Sequence, residues 1–252
     1  MREVPASFEF SPAFVPPPTR LLPEGKRLLV LGCHLDVEDE RLEAMRATFS
    51  PREEQRYKSF ATDPLRRRWG ASRGFLRAAL GSALRIPPAE LAFVYGEHGK
   101  PRLDDSQQPR GGALRFNLSH SGALAILALG RGYEVGADVE LPRQRRIGDL
   151  ARRWYTEAEQ HQMFSTKDQA ATFFRLWTCK EAFLKATGEG LSRSLRSYEV
   201  ELTPQGARLR WAREIPDAAT RYSIYPLRPG EPYFAAVVAE SQELTVSCHR
   251  WP

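Results

Sequence analysis

FFRLWTCKEAFLKATGEGL, residues 173 to 191, is the stretch on which the reading of this chain turns. Apolar residues recur at Phe173, at Leu176 and Trp177, and at Phe183 and Leu184, the spacing of one helix face, and Gly188 and Gly190 supply the stop. At 100° per residue Lys180 falls inside the apolar stripe, between Trp177 and Leu184, while Glu181 and Lys185 stack one turn apart along its edge. Taken alone, such a Glu–Lys pair is a solvated-face ion pair worth roughly 0.2–0.5 kcal/mol, with Lys180 snorkelling past Trp177 to water. A second carboxylate pair, a GKP loop and an SHS turn elsewhere in the chain give these charges another reading.

The chain of 252 residues has room for one large domain or two of about 110–125 residues, each able to hold a core. With 42% hydrophobic and 27% charged residues, disorder throughout is excluded. Cys33, Cys179 and Cys248 are unclustered and argue for a reducing cytosol, against a disulfide frame or a zinc site. No apolar run approaches the ~18 residues of a membrane span, and MREVPASFEFSPAFVPPP at the start lacks a basic region followed by an apolar one, so a cytoplasmic protein is expected. A net charge of +6 points to a polyanionic partner: nucleic acid, a phosphorylated ligand or an acidic protein.

Residues 1 to 26 carry Pro5, Pro12, Pro16, Pro17, Pro18 and Pro23 and read as an extended arm without chemistry. RLLVLGCHL, 27 to 35, suits a buried strand. SPREEQRYKSF, 50 to 60, opens a helix with a capping box of Ser50 and Glu53, and a second helix over 66 to 84 stops near Pro87 and Pro88. A short strand at 91 to 95 precedes the loop GEHGKPRL, and 114 to 118 with 123 to 129 predict a hairpin around SHSG.

The second half repeats this order. Thr156 and Glu159 make another capping box, offset by 106; Trp69 aligns with Trp177 at 108, which sets Arg73 beside Glu181 and Arg77 beside Lys185; RFNLS at 115 faces RYSIY at 221, and the apolar run 123 to 129 faces YFAAVVA. The expected fold is therefore α+β, a pseudo-dimer of two similar halves, each with helices packed on a small antiparallel sheet. Its divisions fall at an arm 1–26, a first half 27–131 and a second half 132–252, with a ligand cleft at the seam.

YEVGADVE, 133 to 140, reads as a strand on which Asp138 and Glu140 share a face, ~6.5–7 Å between their Cα atoms. Like charges so placed suit Mg²⁺, a hard ion that leaves positions for substrate phosphates; the alternative is an acidic face on an exposed edge strand. Glu181 would add a third carboxylate, and Lys185 would neutralise phosphate charge. GKPRL presents Lys100 as a basic tip held outward by a fixed turn, or as an ordinary loop lysine. FNLSHSG sets Ser119 and His120 at a hairpin turn, where they can face an anion or simply water, without the geometry of a nucleophile and its base. Arg73, counterpart of Glu181, could grip a phosphate across the seam or belong to a helix-surface cluster with Arg66, Arg67, Arg68 and Arg77. No RNP pattern or helix-turn-helix spacing turns that cluster into a nucleic-acid site.

GKP, FNLSHS, VGADVE and WTCKEAFLKATGEGL, in this order, resemble the Sfp-type 4'-phosphopantetheinyl transferases over about residues 27 to 240. The resemblance implies a monomeric pseudo-dimer that moves the phosphopantetheine arm of coenzyme A to a serine of an acyl or peptidyl carrier protein, releasing 3',5'-ADP, with no nucleic acid or membrane as partner. It implies Asp138, Glu140 and Glu181 as Mg²⁺ ligands, Glu181 also as base, directly or through a water, and Lys185 as the phosphate-binding lysine. Arg73, Lys100, Ser119 and His120 would contact coenzyme A, and Asn117 belongs to the same motif. The family often has Ile where Val139 stands, and the proline-rich start lies outside its pattern. The carrier implied is acidic near its serine, so Arg143, Arg145, Arg146, Arg152 and Arg153 are its expected docking rim. Two other readings use the same residues: a Mg²⁺-dependent phosphohydrolase acting on nucleotides, and a non-catalytic module binding carrier proteins or nucleic acid.

Overall fold

A computed structural model describes residues 20–142, 147–188 and 194–252. The proline-rich segment up to residue 19, Arg143, Arg145, Arg146 and Gly190 lie outside the described residues. The helix of the opening stretch, α6, runs Gln169–Thr187. It starts four residues before the apolar stripe because the Asp168 side chain accepts a hydrogen bond from Ala171 N (2.9 Å), and it ends as expected at Gly188 in the left-handed region (φ 76°).

Both halves repeat one unit. In the first, β1 (Arg27–His34) is followed by α1 (Asp39–Arg46), α2 (Pro51–Lys58), α3 (Asp63–Leu84), the short β2 (Phe93–Tyr95) and β3 (Pro101–Leu103), then β4 (Leu114–Ser121) and β5 (Leu124–Arg131). In the second, β6 (Val135–Glu140), α4 (Ile147–Trp154), α5 (Glu157–Phe164) and α6 precede β7 (Tyr198–Thr203), β8 (Gly206–Ala212), α7 (Ala218–Arg221), β9 (Ser223–Leu227), β10 (Phe234–Ala239) and β11 (Thr245–Arg250). The antiparallel trio β1-β5-β4 recurs as β6-β10-β9. Both capping boxes form, Ser50 with Glu53 and Thr156 with Glu159. The α+β pseudo-dimer read from the sequence is the fold.

Each sheet is covered by its own helices on one face and by the other sheet on the opposite face. Leu29, Leu31 and Cys33 of β1 pack with Phe75 and Leu76 of α3, whereas Leu28 and Val30 join Val135, Val139, Tyr225 and Val237 between the sheets. Alternate residues of β1 are thus apolar on both sides, which is why RLLVLGCHL lacks a polar period. At the seam β4 lies beside β6 without a backbone ladder. Side chains at every second position of β4 replace it: Ala137 N donates to Asn117 Oδ1 (2.8 Å), Val139 N to Ser119 Oγ (3.4 Å) and Leu141 N to Ser121 Oγ (3.1 Å).

Two expectations about the chain's course change. The hairpin turn falls on Gly122, at φ 57°, and Ala123, so Ser119 and His120 lie in the strand rather than at the turn. The end of the chain does not stay with residues 132–252: β11 pairs in parallel with β1 of the first half, and Trp251 N donates to Gly32 O (2.7 Å).

The approach of α6 to β6 sets the site. A Cβ on Gly136 would stand 1.9 Å from Ala182 O and 2.4 Å from Ala186 N, so glycine on the strand and alanines one turn apart on the helix let the backbones touch. Gly136→Ala is expected to destabilise the protein by about 3 kcal/mol or more, read as the shift of the urea midpoint, because neither rigid backbone can give way.

Candidate active site

Asp138 and Glu140 follow Gly136 at two-residue steps and so share the face of β6 that meets α6, where Glu181 and Lys185 flank Ala182 and Ala186. Lys185 Nζ donates to Asp138 Oδ1 (2.6 Å) and to Ser119 Oγ (3.0 Å), and Ser119 Oγ in turn donates to the same carboxylate (3.1 Å). Glu140 accepts from Ser121 Oγ (3.2 Å) and from Trp177 Nε1 (3.3 Å). The Glu181–Lys185 ion pair is absent among the described residues, since Lys185 crosses to Asp138 instead.

Two buried carboxylate oxygens, Asp138 Oδ2 and Glu181 Oε1, have no hydrogen-bond partner among the described residues. Burial raises the Asp138 carboxyl against the pull of Lys185. Burial, then the Asp138 charge, pushes Glu181 up to about 7 despite Lys185, and Glu140 adds to the rise. Such a cluster is short of positive charge, and hard oxygen donors with open lone pairs suit a hard cation. Among the described residues no group of three or more His, Cys, Asp or Glu forms a ready-made metal site: Lys185 holds Asp138, while Ser121 and Trp177 hold Glu140.

On the other side of β4 lies a cavity of about 400 Å³, walled by Arg52, Arg56, Trp69, Arg73, Tyr95 and His120 among others. Arg73 is nearly buried; its Nε donates to Glu53 Oε1 and its Nη2 to Tyr95 Oη (2.6 Å). Arg77 donates to the other oxygen of Glu53 (2.8 Å) and to Pro88 O (2.6 Å). Burial works to raise Glu53, but the two guanidiniums win and hold it below its ordinary range. Ser72 Oγ, buried and unpartnered, also lines this cavity.

The sequence-predicted residues therefore divide. Arg73, His120 and Asn117 meet at the cavity, although Asn117 Oδ1 is bound to Ala137 N. Asp138, Glu140, Glu181, Lys185 and Ser119 gather behind it, and Ser119 is buried in that knot rather than turned to an anion. Lys100 does not point outward. Its Nζ is turned into the seam, to Glu134 Oε2 (3.0 Å), Val135 O (3.0 Å) and Ala186 O (3.2 Å), acceptors that no local pattern around GKP announces.

Lys180 does not snorkel. It is fully buried, donating to Glu159 Oε1 (2.5 Å) and Tyr198 O (2.9 Å). Burial drives Lys180 down and Glu159 up, each opposed by the other's charge. Sequence reasoning missed Glu53 and Glu159 as ion partners and Arg52 and Arg56 as cavity walls. The signal was present: a glutamate already fixed by a capping box at the start of each short helix, and arginines at i and i+4 of the first of them.

Carboxylates gathered with a lysine on one side of β4, and an arginine-walled cavity on the other, suit a protein that handles an anionic ligand. Comparison with known proteins narrows it. The family model described as the 4'-phosphopantetheinyl transferase superfamily matches residues 134–238, and that described as 4'-phosphopantetheinyl transferase, N-terminal, matches residues 37–131. The 4'-phosphopantetheinyl transferase HetI of Nostoc sp. is 38% identical over 207 residues, covering 81% of this chain and 83% of its own. Sfp of Bacillus subtilis is 26% identical, covering 83% and 91%, and the human L-aminoadipate-semialdehyde dehydrogenase-phosphopantetheinyl transferase 32%, covering 69% and 59%. The chain belongs to the 4'-phosphopantetheinyl transferase family. It is an enzyme that transfers phosphopantetheine from coenzyme A to carrier proteins.

Lys180→Met leaves the Glu159 charge buried without its cation and is expected to cost about 3–5 kcal/mol in urea unfolding, with most of the loss recovered in Lys180→Met/Glu159→Gln. Equal destabilisation by single and double variants would show that the ion pair is not the source of the cost.

Proposed function

We propose that the nucleotide of coenzyme A occupies the cavity of Arg73 and His120, that its pyrophosphate reaches the end of β4, and that Asp138, Glu140 and Glu181 hold Mg²⁺ there. The observation that carries this reading is the pair of buried, unpartnered carboxylate oxygens, Asp138 Oδ2 and Glu181 Oε1, beside the Lys185 ammonium. β4 is the wall shared by both parts: His120 faces the cavity, while Ser119 and Ser121 face the carboxylates.

Mg²⁺ bound there would act as a Lewis acid on the phosphate oxygens and neutralise their charge. Lys185 and Arg73 bind and orient the pyrophosphate, and the side-chain ladder of Asn117, Ser119 and Ser121 keeps β4 in register with β6. The nucleophile is the serine of the carrier. Its oxygen forms a bond to the β-phosphorus, the bond from that phosphorus to the bridging oxygen breaks, and 3',5'-ADP leaves. Glu181 takes the serine proton, directly or through a water.

An acidic carrier fits the net charge of +6. Of the expected docking arginines, the described Arg152 is paired with Asp149 (2.6 Å) and Arg153 lies 4.9 Å over the Trp154 ring, both exposed on α4. Action as a monomer is supported by a single chain contributing both walls of the seam. A cytoplasmic setting accords with three free cysteines, and no described helix is long and apolar enough to cross a membrane.

An apo carrier protein incubated with coenzyme A and Mg²⁺ should gain the mass of one phosphopantetheine. Asp138→Ala should lower that rate by about 100-fold or more with circular dichroism unchanged, and excess chelator should do the same to the wild type. Release of phosphate from coenzyme A without a carrier would favour the phosphohydrolase. Full turnover in Asp138→Ala would sink the metal site.

A further inference from the structure

We infer that Lys100 is a cross-seam helix cap: it holds the last turn of α6, and with it Lys185 and Glu181, against the first half, and does not bind the substrate's phosphates. The inference rests on the roles proposed above for those two residues.

An ammonium has three N–H donors and accepts nothing. Lys100 commits all three, to Glu134 Oε2 (3.0 Å), Val135 O (3.0 Å) and Ala186 O (3.2 Å), which leaves none for a phosphate oxygen. Lys100 belongs to the loop between β2 and β3, whereas all three acceptors lie beyond β5, in the second half and its entry. Ala186 O is among the last-turn carbonyls of α6 that have no partner within the helix, and a cation there also meets the negative end of the helix dipole. The stem of the lysine follows the same path, its Cδ lying 3.9 Å from where a Cβ on Gly188 would stand.

The fastening is anchored at both ends. Glu134 takes Lys100 on one carboxylate oxygen and Arg115 of β4 on the other (3.0 Å), so two first-half cations converge on the residue that enters β6. The loop itself is closed by Gly99 N to Gly96 O (2.9 Å) and Gly96 N to Lys100 O (3.0 Å), with Gly99 at φ 78°. Its neighbours Gly99 and Pro101 line the cavity. One short loop thus forms part of the cavity wall and caps the helix that carries the charged groups. Lys185 immediately precedes Ala186, so a displaced last turn would carry its ammonium away from Asp138.

The test compares full-length Lys100→Met and Lys100→Gln with wild type, using coenzyme A, Mg²⁺ and an apo carrier protein for turnover and calorimetry for coenzyme A binding. Gln keeps two N–H donors for the carbonyls of Val135 and Ala186 and serves as the conservative variant. Lys100→Met is expected to lower kcat about 10-fold or more, Lys100→Gln no more than about 3-fold, with the Kd for coenzyme A within about twofold of wild type in both. Coenzyme A bound about 10-fold more weakly at undiminished kcat would overturn the inference and make Lys100 a ligand. Wild-type values in Lys100→Met would overturn it too, leaving an ordinary lysine, and would not touch the carboxylate site, which Asp138→Ala tests separately. If Lys100→Met fails to fold, the same split between kcat and Kd is read on Lys100→Gln.

Discussion

The arrangement of the second half depends on one buried ion pair, Lys180 with Glu159. Neither side chain reaches water, and the pair binds three elements at once: Glu159 closes the capping box of α5 and accepts from Val200 N of β7 (2.8 Å), while Lys180 of α6 donates to Tyr198 O. Against an apolar replacement of the same volume such a pair offers little net stability, because desolvating two charges costs several kcal/mol per ion. Its consequence is rotational. With Lys180 tied to Glu159, α6 cannot turn about its axis, and Glu181 and Lys185, displaced by 100° and by a little over a turn, are held toward β6.

The first half solves the same problem with different residues, and the difference creates the site. Glu53 stands where Glu159 stands, but its cations are Arg73 and Arg77, which align with Glu181 and Lys185. The residue aligned with Lys180 is Ser72, whose hydroxyl has no partner among the described residues. In the second half the cation that serves the cap glutamate has moved one position toward the helix N-terminus. That shift releases two positions, 181 and 185, from structural duty, and they carry the charges that face Asp138.

Much of this was legible because it is local. The period of α6 and both capping boxes are written in neighbouring residues, and the repeat shows because each half carries its own copy of such local patterns. What escaped depends on partners far along the chain. Lys180 inside an apolar stripe signals burial, but its acceptor lies 21 residues away in another helix, and Lys100 finds Ala186 O at a separation of 86. The pairing of β11 with β1 is likewise a choice among edges, with no mark in TVSCHR itself. Ser119 could have been placed better, since Gly122 rather than His120 has the backbone freedom a tight turn requires, and a turn there extends the strand through Ser121.

Duplication with a change of sign at one aligned position, Arg73 against Glu181, gives the two halves different charges to offer. The cavity wall of the first half offers Arg52, Arg56 and Arg73, and the second half offers Asp138, Glu140 and Glu181 with one lysine. An anionic ligand is complementary to the arginine wall, and the divalent cation proposed for it to the carboxylates. The join that permits this is made by hydroxyl and amide side chains of β4 on backbone N–H groups of β6, which fixes the two strands in register without merging the sheets. Opposite charges can then diverge on either side of the join while the backbone that positions them stays common to both halves.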